Sequence, residues 1–132
     1  MLKNYQQVVQ DAKSHIREIS VDELYQQLNN SNILTIDIRE PNEMATGIIP
    51  NAICLPRGIL EGSLASIDCV KQAADPLAAL AEYQLYIYCR SGARSALAAE
   101  SLLKMGLSNV QSVAGGMDAW QQQGYPVANK GS

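Results

Sequence analysis

The chain has 132 residues, 47% hydrophobic and 17% charged, which suits one globular domain and leaves no polar low-complexity tract to argue for disorder. Its formal charge of -3, with no run of Lys or Arg, speaks against a nucleic-acid partner. No apolar stretch reaches membrane-spanning length and the first residues, MLKNYQQVVQDAK, turn polar at once, so no membrane partner is expected and the cytoplasm is the expected compartment.

In the first segment Tyr5, Val8, Val9, Ala12, Ile16 and Ile19 recur at three- and four-residue spacings, the pattern of an amphipathic helix packed on the rest of the domain. Ser20 with Glu23 reads as a capping box that opens a second helix running to about Leu28. Residues 33–38 form an apolar, β-branched run that reads as a buried strand, ending in the charges of Asp37, Arg39 and Glu40. The stretch 58–75 shows mixed short helical patterns without a clear assignment. Residues 85–88 read as another buried strand and 93–105, rich in Ala and Leu, as the helix behind it, stopped by Gly106. Residues 109–113 give a short strand, Gly115-Gly116 a turn, and 117–123 a last helix closed by Gly124 and Pro126. Strands alternating with helices imply an α/β fold with a mainly parallel sheet covered on both faces, in which ligands bind beyond the carboxyl ends of the strands.

The three cysteines, Cys54, Cys69 and Cys89, are an odd number without CxxC spacing, which disfavours a disulfide framework and a metal site alike. The single histidine, His15, lies far upstream in the first predicted helix, so a Cys-His pair is not expected. Cys89 stands apart because Cys89-Arg90-Ser91-Gly92-Ala93-Arg94-Ser95 joins a strand to the first turn of a helix, where backbone N–H groups lack intrahelical partners. Those amides, the helix dipole and the guanidinium of Arg94 favour a thiolate there without any histidine, and Gly92 lets the backbone bend around the sulfur. Cys54 and Cys69 have no such setting and read as small packed residues.

CRSGARS resembles the active-site loop of the rhodanese-family sulfurtransferases, and two further pieces match that family in order. Residues 37–58, DIREPNEMATGIIPNAICLPRG, are similar to its upstream signature, and residues 113–120, VAGGMDAW, to its downstream Gly-Gly and Trp motif. The resemblance spans about residues 18–127. It implies a rhodanese-like fold with a five-stranded sheet between helices, a domain over residues 20–127 preceded by the 1–19 helix and followed by a 128–132 tail, and no cofactor. It also implies that Cys89 takes sulfane sulfur from thiosulfate or a similar small-molecule donor as a persulfide, then passes it to a thiol acceptor, small or protein-borne, with cyanide serving in vitro. Arg90, Ser91, Gly92, Ala93, Arg94 and Ser95 match the loop that would hold donor and persulfide, with Arg94 as the sulfonate contact. Arg39 matches the strand-end arginine of the substrate pocket, and Asp37 the aspartate that supports it. The family's Gly-His-Ile-Pro stands here as Gly47-Ile48-Ile49-Pro50.

Two other readings stand beside this one. A cysteine and an arginine in an amide-lined loop are also the logic of cysteine phosphatases and arsenate reductases, although the related phosphatases carry one residue more between the two than the four found here. The third reading is a non-catalytic rhodanese-like binding module, since fold alone does not fix activity.

Overall fold

The computed structural model describes residues 1–130. Its single sheet holds β1 (Arg17–Ile19), β2 (Ile33–Asp37), β3 (Ile53–Cys54), β4 (Gln84–Tyr88) and β5 (Val110–Val113), in the order β1-β5-β4-β2-β3. Every pairing is parallel, with Asp37 opposite both Tyr88 and Cys54. The central strands are dense in β-branched and aromatic residues, ILTID and QLYIY, and bury side chains on both faces, as parallel sheets do.

Helices α1 (Tyr5–Lys13), α2 (Val21–Gln27), α3 (Pro41–Met44), α4 (Leu60–Ser63), α5 (Pro76–Leu80), α6 (Ala93–Lys104) and α7 (Gly116–Gln122) cover those faces. One face packs Ile36, Leu85, Ile87 and Cys89 against Leu60, Leu64, Leu80 and the Ala98, Ala99 and Leu102 stripe of α6. The other packs Tyr86, Tyr88 and Val113 against Leu24 of α2 and Met117 and Trp120 of α7. The indole of Trp120 is fully buried and donates its N–H to the Pro126 carbonyl at 2.8 Å, which removes the cost of burying that polar group.

The first predicted helix is shorter than its apolar spacing implies. It ends at Lys13, the Ser14 hydroxyl donates to the Asp11 carbonyl at 2.6 Å, and His15 lies in the turn that follows. Ile19 belongs to β1, so residues 17–19 are part of the sheet. Ile16 and Ile19 fit a helical spacing, but pairing of residues 17–19 with β5 settles that stretch as strand. Val9 and Ala12 are buried and α1 packs along α6. Ser20 caps α2 through its hydroxyl, which accepts the Glu23 N–H at 3.1 Å and donates to the Glu23 carboxylate at 3.2 Å.

Residues 58–75 resolve into α4 between short 3₁₀ turns, with Leu60, Leu64, Ile67 and Val70 pointing into the core. At the other end Ile48 and Ala128 exchange backbone hydrogen bonds of 2.9 and 2.8 Å, tying the start of the predicted tail to the segment before β3; residues 131 and 132 of that tail lie outside the described residues.

Candidate active site

Cys89 leaves the end of β4 and is 1% exposed. The chain after it climbs through Arg90 and Ser91 to Gly92, which caps α6 with φ +103°, a left-handed conformation open to glycine. That bend turns backbone donors back toward the sulfur. Sγ accepts from the Gly92 N–H at 3.2 Å and from the Ser95 N–H at 3.4 Å, and lies 3.4 Å from the Ser95 hydroxyl. The N-terminus of a twelve-residue helix therefore points its partial positive charge at one sulfur atom. Arg90 and Ser91 lie exposed on the crest of the loop, and Ala93 is half-buried in the first helical turn.

The loop is held from behind by α7. Its first N–H groups, those of Met117 and Asp118, donate to the carbonyls of Cys89 and Arg90, both at 2.9 Å. This contact requires Gly116, at φ +52°, because a Cβ there would stand 2.3 Å from the Cys89 oxygen. The Gly-Gly pair expected only as a turn is thus the seat of the cysteine loop.

Arg94 is not free to meet a sulfonate. Its guanidinium forms a bidentate pair with Glu43 of α3 at 2.8 Å for each bond, and the pairing holds the Glu43 carboxyl down at about 2. Arg39 lines the cleft between α3 and α7 but spends its guanidinium on the protein. It is 4% exposed, binds Asp37 at 2.7 Å, and donates to the Glu43 and Gly47 carbonyls at 3.0 and 2.8 Å, so its charge braces the β2 end and the loop after α3. Asp37 is fully buried and accepts from the Arg39 backbone N–H at 3.0 Å as well as from its guanidinium. Arg90 is the arginine turned outward: its side chain is 72% exposed and 3.6 Å from Asp118. It borders a cleft of about 290 Å³ between α3 and α7, whose walls include Asn42, Glu43, Thr46 and Gln121.

Sequence reasoning missed Glu43, which lies 51 residues from the arginine it binds. Its only local signal is a carboxylate between the two arginine motifs. It also missed Ser112, whose hydroxyl meets that of Ser95 at 2.8 Å beneath the loop. Cys54 sits at the end of β3 between Ile53 and Leu55, which pack on the Cys89 face, so strand alternation turns its thiol to the opposite face; burial and Asp37 push that thiol up. Cys69 is exposed, not packed as expected, because it lies in the turns after Ile67 that run along the surface. Among the described residues no group of His, Cys, Asp or Glu is arranged to hold a metal ion, and no helix is long and apolar enough to cross a membrane.

Comparison with known proteins places these features in a family. The rhodanese-like domain matches residues 20–123. A sulfurtransferase of Allochromatium vinosum is 34% identical over 113 residues, covering 85% of this chain and 94% of the relative. Among solved structures, a Rhodopseudomonas palustris protein of unknown function described as a possible tyrosine phosphatase superposes with a TM-score of 0.80 at 29% identity, over 97% of this chain and 96% of that one. A polysulfide-sulfur transferase homodimer from Wolinella succinogenes gives 0.73 at 30% identity, over 96% and 88%.

Proposed function

The chain belongs to the rhodanese-like domain family of sulfurtransferases, and on that premise we propose that it moves sulfane sulfur from thiosulfate or a similar donor to a thiophilic acceptor through a persulfide on Cys89. The observation that carries this reading is the convergence of the Gly92 and Ser95 N–H groups on one buried Sγ. The Cys89 thiolate attacks the outer sulfur of the donor, the donor's S–S bond breaks, and sulfite leaves with the electron pair. The terminal sulfur of the new persulfide carries the negative charge under the helix N-terminus. Cyanide, or a thiolate of a small molecule or protein, then attacks that terminal sulfur and returns Cys89 as thiolate. A free nucleophilic thiol of this kind belongs in a reducing compartment, which makes the cytoplasm part of the proposal.

Sulfur is favoured over phosphorus by the four-residue spacer and by the state of Arg94. A phosphoryl oxyanion needs a guanidinium free to meet it, and here Glu43 already occupies both of its arms. The test is turnover of thiosulfate and cyanide together with mass detection of a cyanide-labile persulfide. Wild type is expected to show both, with essentially no aryl phosphate hydrolysis; Cys89→Ser is expected to show neither, while Cys54→Ser and Cys69→Ser keep most of the activity. A phosphatase without a persulfide, or loss of transfer in a correctly folded Cys54→Ser, overturns the reading.

A further inference from the structure

Ser112 lies on β5, fully buried, and its hydroxyl is 2.8 Å from that of Ser95, which in turn is 3.4 Å from the Cys89 sulfur. Three buried groups thus form one line from the sheet to the nucleophile. A hydroxyl has one proton to give and two lone pairs to accept with, so the direction of each bond in the line depends on the state of the sulfur. When Cys89 is a thiol, its S–H points at the Ser95 oxygen and the Ser95 proton is free to go to Ser112. When Cys89 is a thiolate, the sulfur can only accept, Ser95 must turn its proton toward it, and the Ser95 oxygen is left to accept from Ser112.

We propose that Ser112 is a positioning residue for the nucleophile: by donating to Ser95 it fixes the Ser95 proton on the sulfur and thereby favours the thiolate. The inference rests on Cys89 being the nucleophile, but not on the identity of the sulfur donor. Hydrogen bonds in series polarise one another, and in a dry interior the loss of the second weakens the first. Ser112→Ala leaves the Ser95–sulfur contact in place but removes the donor behind it. The ionisable groups around the sulfur are Arg94 on α6 with its partner Glu43 on α3, Arg90 with Asp118 on α7 at the rim, and Tyr5 of α1 near Arg94; Asp37 and Arg39 lie at the end of β2. All of them remain in the variant.

The test follows the Cys89 thiolate by its absorbance at 240 nm against pH, taken as the difference from Cys89→Ser in the same background, so that neither reagent access nor sulfur transfer enters. Ser112→Ala is expected to move the midpoint upward by about half to one pH unit. Thiosulfate turnover should then fall about three- to tenfold below that midpoint and match wild type above it. Ser112→Thr, which keeps the hydroxyl on a strand that favours β-branched residues, is expected to restore the wild-type midpoint. A Ser112→Ala midpoint that overlays wild type overturns the proposal, as does a Thr variant shifted as far as Ala. If the midpoint shifts as expected but wild type forms no persulfide, the proposed sulfur transfer falls and the role of Ser112 stands.

Discussion

Arg94 follows Cys89 in the loop but is paired with Glu43 of α3. The pattern of a cysteine and a following arginine invites a direct contact with an anionic donor, but a guanidinium already bound by a carboxylate held near 2 has little charge left for a sulfonate. Its visible work is to fasten the first turn of α6 to α3. Arg94→Ala is therefore expected to lower kcat/KM for thiosulfate and for an uncharged sulfane donor by similar factors, about tenfold each. Steady-state kinetics with both donors checks this; a loss confined to thiosulfate would put the guanidinium back on the substrate. Cys89, by contrast, was legible at once, because the groups that define it are its own backbone neighbours and need no distant partner.

At the scale of elements, legibility followed the same rule. The strands β2, β4 and β5 and the helix α6 carry their period within a few residues, so they were read nearly to their ends. The strand β3 has two residues and β1 three, too short for any period, and each exists because a neighbouring strand offers it a ladder. The short α3 is likewise set by Pro41 and by the Glu43 carboxylate accepting the Glu40 N–H at 2.9 Å. What no local pattern announced is that α7 presents its first N–H groups to the cysteine loop. Gly116→Ala places a Cβ against the Cys89 carbonyl and adds an unfavourable positive φ, so it is expected to destabilise the fold by about 2–4 kcal/mol. It should also lower sulfur transfer at least tenfold, measured on the folded fraction, because the loop cannot keep its seat. Full activity in this variant would mean that the α7 contact is dispensable.

For the whole molecule, the Glu43–Arg94 pair is a link between the two halves of the site that depends on charge. The folded-state value of Glu43, about 2, lies below the ordinary carboxylate range, so its contribution is present at neutral pH and is lost as pH falls through that range toward 2. Both side chains are partly exposed, 24% and 32%, which limits the effect to about 1–2 kcal/mol. Glu43→Gln is expected to be less stable than wild type by that amount at pH 7 and nearly equal to it close to pH 2, as read from urea unfolding at each pH. A difference that stays constant over that span would assign the loss to packing instead.

The sheet order has a consequence in time as well as in space. The strand β1 has one partner, β5, and its Ile19 lies opposite Val113, so the first strand of the chain is completed only by the last. As the chain leaves the ribosome, β1 waits with its hydrogen-bonding edge unmet until β5 has been made, while β2, β3 and β4 find one another earlier. The seat that α7 provides for the cysteine loop arrives at the same late moment. Closure of the sheet and assembly of the surroundings of Cys89 are thus one event, and a nascent chain stalled before β5 carries Cys89 without the backing from α7 that holds its loop in place.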